Sequence, residues 1–536
     1  MKAAVSVLGV QTPTSRFGKE TDGHQYPQIA TWRCNLTGLS QRTNLFFIAH
    51  TEAIYVYKPI FPSQALPPTP ILTIETPPSR PGLEGTLDPG SPRAINYLVL
   101  QDLGLEEILA VARDDGDVEV YLVAHVVRAV ERRTAGEEFP AELRPFFQRN
   151  VGLSAWGLAV HSQARVLAAS SNTHNVTIFK FGLVDEDGDD DETRRQDATH
   201  GIVNGTTNIP SIAFCNTGDD PDCRWLMTTD IVGETRAIDL HSMQVVQKFS
   251  FLDDMQQLRH DPNNAGWGLI FLDKRSFIPA KDMQSALGPM HGKVNYNDKK
   301  LWNTGPSTTH DWEFSEETAG DSTEEGPYEM DTDSAEEEDE EDVILSYKPS
   351  TRFLFRNYPS RQNPSLPFTG GALDCPILHT SVQNAYLLQP SNSDPVISCS
   401  ELLHQILPSN LYWLHRFARL NLHAYIPSIG VVVVASQMGR AAILSLTKLS
   451  GEEVYTMRVD AIVPFKEQEE RGERPCMPLA GIAVGCIQGT EKLELGRRRW
   501  RLMMTYCDHT VLSFEIRRRG RTGGEEGEVG VQDIVV

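Results

Sequence analysis

The stretch VLAASSNTHNVTIFKF (166–181) alternates its side chains with a period of two on both sides of an Asn-Thr-His-Asn break. Successive side chains of an extended chain point to opposite faces, so the pattern specifies two strands. The four break residues are types that turn tightly and bond their own backbone, which folds the strands into a hairpin. A further strand precedes them in SAWGLAVH (154–161). Such a sheet cannot bury both of its faces alone, so it needs neighbours.

The sequence supplies them. NLFFIAHTEAIYVYKP (44–59), EEILAVARDDGDVEVYLV (106–123), CRWLMTTDIVGETRAIDL (223–240), IGVVVVASQMGRAAILSL (429–446) and RWRLMMTYCDHTVLSFEI (499–516) repeat the arrangement. GWGLIFLDKRSFIPA (266–280) and SVQNAYLLQP (381–390) are poorer copies. Short sheets stacked in a ring cover every face and leave only protected edges. The expectation is an all-β fold, a single β-propeller of seven or eight degenerate WD-like blades. An N-terminal strand would close the ring by pairing near Arg499 to Ile516. Two separate β-sandwiches are the competing architecture. Against the general WD-repeat pattern, Tyr57, Tyr121, Phe179, Ile238, Leu444 and Phe514 fall at the Trp position. That position fills the gap between blades, and a large apolar side chain suffices there.

Composition marks the interruptions. Residues 1–27 read as an N-terminal strand or tail, and 28–516 as the propeller. Residues 58–93 hold ten prolines and read as an extended loop, since proline removes a ladder donor. Residues 124–150 begin with a short rim helix. Residues 400–422, SELLHQILPSNLYWLHRFARL and onward, suggest two short rim helices broken near Pro408. Residues 184–200 form an acidic loop, 282–347 a disordered acidic loop, and 517–536 a flexible tail.

The net charge of −23 resides in two of these inserts. Asp311 to Asp342 carries 17 acidic residues, and Asp185 to Glu192 carries 7. Without them 48 acidic residues face 49 basic ones, so the ring itself is near neutral and direct nucleic-acid binding is not supported. No apolar run approaches the ~20 residues of a membrane span. Eight dispersed cysteines without a CxxC pair argue against zinc and against a disulfide framework, and for a reducing compartment, nucleus or cytosol.

No motif for catalysis occurs, and no cofactor is expected. His161 reads as a polar residue satisfying a turn, and His174 as an exposed turn residue. Asp114, Asp115 and Asp117 belong to a tight hairpin, because the downstream carboxylate of a calcium loop is missing. Ser334, in DSAEEEDEE, is a candidate phosphosite. The cluster RRRWR (497–501) is expected to set its arginines on an exposed strand face. The cluster RRRGR, with Arg517, Arg518, Arg519 and Arg521, is a candidate nuclear signal.

Carried by SAWGLAVH with ARVLAASSNTHNVTIFKFGL, by INYLVLQDLGLEEILAVARDDGDVEVY (95–121), by LDCPILHTS (373–381) and by RRWRLMMTYCDHTVLSFEI (498–516), the sequence resembles a fungal family of WD-repeat-like transcriptional regulators of ribonucleotide reductase genes. The resemblance spans roughly residues 30 to 516 and implies a non-enzymatic nuclear scaffold, monomeric by itself, acting through transcription factors. It supplies no binding residues. The alternative is the substrate receptor of a cullin-type ubiquitin ligase. Many WD-repeat proteins reach that ligase's adaptor through a Trp-Asp-x-Arg motif, which Phe514, Glu515 and Arg517 resemble in degenerate form. Ile238 to His241 is a poorer match.

Overall fold

The computed structural model describes residues 2–18, 29, 33–79, 86–136, 143–182, 197–205, 207–252, 265–289, 291–296, 299–304, 354–355, 358–359, 374–390, 395–405, 407, 409–491, 493–494 and 497–518. Their alternating runs form seven sheets. In chain order from the innermost strand, the first blade is Thr37–Leu39, Phe46–His50, Ala53–Tyr57 and Leu72–Glu75. The second is Ile95–Leu103, Glu106–Arg113, Asp117–Leu122 and Phe147–Asn150, and the third Ala155–His161, Val166–Ser171, Asn175–Phe181 and Asp197–Asn204. The fourth is Ser211–Phe214, Trp225–Thr229, Glu234–Asp239 and Gln244–Leu252. The fifth is built on Gly268–Phe271, Ile377–Thr380, Ala385–Leu388 and Val396–Cys399, the sixth on Leu422–Ile426, Val431–Ala435, Ala441–Leu449 and Val454–Val463. The seventh has Leu479–Cys486, Trp500–Tyr506 and Val511–Arg518, and takes its outer strand from the other end of the chain, Ala3–Gln11.

The architecture is therefore a seven-bladed β-propeller. The six residues at the WD Trp position are all buried, so apolar bulk fills the gaps between blades as the pattern requires. Eight sequence candidates reduce to seven blades because the two poorer copies share one. Gly268–Phe271 is the inner strand of the fifth blade, and Ile377–Thr380 is the second, over 100 residues later. Ile278–Ala280 leaves that blade and pairs in parallel with Thr447 to Leu449 of the sixth.

The ring closes through backbone. Ala3 to Gln11 runs antiparallel to Val511 to Arg518, with a bulge between Val7 and Gly9. At Gly9 a Cβ would sit 2.4 Å from the carbonyl oxygen of Ser63, so only glycine lets the strand cross that segment. Gln11 bonds both backbone groups of Leu66, at 2.8 and 2.9 Å. The helix Pro13–Phe17 follows, and its Arg16 stacks on the Tyr57 ring at 4.5 Å.

Several expected inserts contain sheet. The proline-rich segment 58–93 includes the outer strand Leu72–Glu75, which lies between prolines at an edge where missing donors cost least. Segment 124–150 holds the helix Val123–Thr134 but ends in the strand Phe147–Asn150, and 184–200 runs into Asp197–Asn204. Of the loop expected to be disordered over 282–347, residues 305–347 lie outside the described residues, and the described residues of 282–304 are ordered instead. Met283–Leu287 is helical with Ala286 and Leu287 buried, and the hairpin Gly292–Tyr296 with Lys299–Asn303 joins the fifth blade through buried Leu301 and Trp302. The anchors are few and apolar, and the polar average over the window hid them. In place of the two rim helices expected at 400–422, the described residues hold one 3₁₀ segment, Ser409–Phe417, after a turn at Glu401 to Leu403. Arg517 and Arg518, expected in the tail 517–536, end a strand, and the rest of that segment lies outside the described residues.

Between the fifth and sixth blades, Thr380 donates its hydroxyl to the Leu420 carbonyl at 2.6 Å, so His423 Nε2 donates to Thr380 Oγ1 at 2.9 Å. A Cβ on Gly268 would lie 2.0 Å from His423 Cε1, which requires glycine there. Burial pulls His423 down to about 4 and His379 to about 3.

Two expectations follow from this geometry. A chain lacking residues 1–12 exposes the edge of Val511–Arg518, and should unfold at lower temperature and self-associate; a monodisperse truncated monomer with unchanged melting would contradict the closure. Both histidines are neutral in the fold and titrate near 6.5 when unfolded. The stability they hold above pH 6.5 is lost as pH falls toward 4, on the order of 3 kcal/mol for His423. Urea midpoints measured from pH 7.5 to 4.5 should fall, and His423→Gln, which keeps a donor without titrating, should flatten the decline.

Candidate functional site

Where the first and last blades meet, the sheet surfaces diverge into a cleft of about 900 Å³. Its walls come from three loops: Ser40 to Asn44, between the first two strands of the first blade; Lys58 to Phe61, after that blade's third strand; and Gln488 to Leu493, between the first two strands of the seventh. Arg501, on the second strand of the seventh blade, forms the floor.

Arg501 is the residue for which the sequence reading failed. Expected on an exposed face, it is 1% exposed. The reason is its partner across the sheet, Gly485, which has no side chain to occupy the space toward the first blade. A Cβ there would lie 2.7 Å from Leu39. The guanidinium donates to the side-chain oxygens of Gln64 and Asn44, while its Nε has no partner. Among the described residues no carboxylate lies within ion-pair distance of it. Burial lowers it to about 10, against the raising field of Glu491, so it is charged at neutral pH.

Gln64 is fully buried with φ 61°, and its amide also bonds Gln488 at 3.0 Å. Gln488 in turn donates to the Pro59 carbonyl at 3.2 Å. The 58–66 turn thus links the first blade, the seventh and the closing strand around one cation. Lys58 is exposed beside it, and Leu493 and Ile60 are exposed apolar residues at its rim, 40% and 53%. Positive charge next to bare apolar surface suits a peptide segment that presents a carboxylate beside an apolar side chain.

The sequence-named residues fall as follows. Phe514 lies in the core between blades. Glu515 is buried and held by Arg499, whose Nε donates at 2.8 Å. Arg517 alone of the three faces outward, 3.9 Å from Glu515. Arg518 donates to the carbonyls of Ile429 and Gly430, so it pins a turn of the sixth blade, and burial lowers it to about 10. Arg517 and Arg518, expected to open the tail, are instead the last two residues of the strand Val511–Arg518. Arg519, Arg521 and Ser334 lie outside the described residues.

His161 is buried, with Nε2 2.8 Å from the Asp220 carbonyl and Nδ1 accepting from Ala164, a structural arrangement. Asp115 and Glu119 pair with buried Arg113, and Asp114 accepts from Ser154 at 2.7 Å. No group of three or more His, Cys, Asp or Glu among the described residues is placed to hold a metal.

Seven four-stranded blades, with large apolar side chains at the interblade position, define a WD-repeat-like propeller. The chain belongs to the CRT10 family, whose model matches residues 10–261 and 293–516. It is 25% identical over 503 residues to an uncharacterized WD repeat-containing protein of Schizosaccharomyces pombe, covering 90% of each chain. A WD40 repeat-containing protein of Dictyostelium discoideum is 25% identical over 219 residues, 41% of this chain and 26% of that protein. A chain in a crystal structure of a mitotic checkpoint complex superposes with a TM-score of 0.44 and 9% identity, over 92% of this chain and 90% of that one.

Replacing Arg501 by Met keeps the stem and removes the donors on which Gln64 and Asn44 rely. Urea unfolding should show a loss of about 1–3 kcal/mol, the ordinary cost of stranding buried acceptors.

Proposed function

We propose that this chain is a non-catalytic nuclear scaffold that regulates transcription of ribonucleotide reductase genes through protein partners. Membership in the CRT10 family, WD-repeat relatives and the resemblance carried by SAWGLAVH and its companion stretches support that reading. One observation of geometry carries the binding half: a buried guanidinium with no carboxylate within ion-pair distance among the described residues, under an open cleft lined by Lys58, Glu491 and Leu493. A partner's acidic side chain would complete the charge there, and an apolar neighbour would cover the rim. The ring, near neutral once the acidic inserts are set aside, favours a protein partner over nucleic acid.

Arg517 supports a second reading, in which the propeller is the substrate receptor of a cullin-type ligase. It extends outward from the end of its strand, as a docking arginine would.

Affinity purification with mass spectrometry separates the two. Whole chain, Lys58→Glu with Leu493→Asp, and Arg517→Ala would be compared in cells, with ribonucleotide reductase transcripts measured beside them. Promoter-bound factors that are lost with the Lys58/Leu493 pair, together with altered transcripts, are the expected result. Adaptor and cullin lost with Arg517→Ala would favour the receptor. A prey set indifferent to the cleft variants, with unchanged transcripts and a tagged chain outside the nucleus, would overturn the proposal.

A further inference from the structure

Two thiols 160 residues apart meet away from the cleft. Cys215 follows the inner strand of the fourth blade, and Cys375 precedes the second strand of the fifth. Both are buried, and their sulfurs are 3.8 Å apart within hydrogen-bond reach. The Thr217 hydroxyl lies 3.2 Å from Cys215 and 3.3 Å from Cys375, and Asp219 Oδ2 lies 3.3 Å from the Cys375 sulfur.

The same short loop holds both ends of the long insertion between Phe271 and Ile377. At the departing end, Arg275 donates to the Thr217 carbonyl. At the returning end, Cys375 meets Cys215 and Asp219. The loop is thus a clasp at the base of the segment that carries the acidic block. Asn216, Gly218 and Asp219 are exposed, so only a thin cover separates the thiols from solvent.

We propose that Cys215 and Cys375 form a reversible disulfide when the protein meets a hydroperoxide, making this clasp covalent. The sulfurs must approach by about 2 Å, a shift that side-chain rotation in two connecting loops can supply. In the resting pair Cys215 donates to the Cys375 sulfur and Cys375 donates to Asp219 Oδ2; once ionised, Cys215 accepts from Cys375 instead, which holds the Cys215 pKa down while that interaction and burial raise Cys375, so Cys215 is the nucleophile. Its thiolate attacks the terminal peroxide oxygen. An S–O bond forms, the O–O bond breaks, and the departing alkoxide takes a proton to leave as an alcohol. Cys215 is oxidised by two electrons to the sulfenic acid and the peroxide is reduced. Cys375, giving its proton up toward Asp219, then attacks the sulfenic sulfur. The S–S bond forms and the hydroxyl leaves as water. A dithiol reductant reverses the reaction.

The test uses the full chain. It is treated with graded hydrogen peroxide, its remaining thiols are alkylated, and it is digested without reductant for mass spectrometry. The expected result is one cross-linked peptide pair, containing Cys215 and Cys375, that dithiothreitol removes. In Cys375→Ser, dimedone should trap a sulfenic acid at Cys215. Both thiols remaining reduced at a dose that oxidises half-buried Cys476 and Cys486 would overturn the proposal. So would Cys215 passing to sulfinic acid in the unaltered chain without any link.

Discussion

Closure by the strand Ala3–Gln11 is the constraint on which the rest depends. Seven blades built in sequence leave one open edge, and an open edge both invites misassociation and leaves the last interblade surface uncovered. Pairing with Val511–Arg518 removes the edge, and the same strand reaches beyond its blade. The Ala3 amide donates to Asp460 of the sixth blade at 2.6 Å, Gly9 crosses Ser63, and Gln11 grips Leu66 of the first. Because Gln64 lies between those last two contacts and accepts from Arg501, closing the ring also builds the floor of the cleft. Stability and the candidate site therefore share one set of contacts.

Arg501 stands apart from its peers. Arg33, Arg113, Arg440, Arg474 and Arg501 are all fully buried. Arg113 meets Asp115 and Glu119, Arg440 and Arg474 share Glu469, and Arg33 meets Asp88 at 3.3 Å. Arg440 Nε and Arg474 Nη1 each lie 2.8 Å from Glu469, and those bonds override burial to hold that carboxyl below its ordinary range. Such groups join neighbouring segments, and losing one partner strands a charge at a cost of about 3–5 kcal/mol. Arg501 receives only amide oxygens. A buried cation hydrogen-bonded to neutral oxygens, with Glu491 acting on it only through its field, retains attraction for an anion, and that sets this interblade joint apart as a place for recognition.

Much of the ring was legible in period-two alternation, because interior strands and interblade residues answer to burial alone. Tyr57, Tyr121, Phe179, Ile238, Leu444 and Phe514 could be placed from their register with the hairpin turns. What escaped depended on contacts between distant segments. The fifth blade has its inner strand separated from the others by the insertion, so neither fragment showed the repeat. Leu72–Glu75 lay hidden among prolines whose effect is local to their own residues. Arg501 was misplaced because a basic run reads as surface, and only the register opposite Gly485 shows that it has room to turn inward. Cys215 and Cys375 carry no spacing signal at all, since the topology alone brings them together.

Topology also sorts the two faces of the ring. Each blade is an antiparallel meander begun at its inner strand, and inner strands repeat around the ring in one direction. Connections from first to second strand, and the ends of third strands, therefore emerge on one face. That face receives the cleft loops Ser40 to Asn44 and Gln488 to Leu493, Lys58, the outward Arg517 and the Cys215 loop, with Arg275 and Cys375 bonded to it. The second-to-third turns emerge on the opposite face. There Asp114 and Asp115 join internal networks, and Arg440 reaches Glu469 on the helix that leads into the seventh blade. The networks of Arg113 and Arg440 brace the ring on one face; on the other, Arg501 has only amide oxygens as hydrogen-bond acceptors, and Ile60 and Leu493 stand exposed beside it.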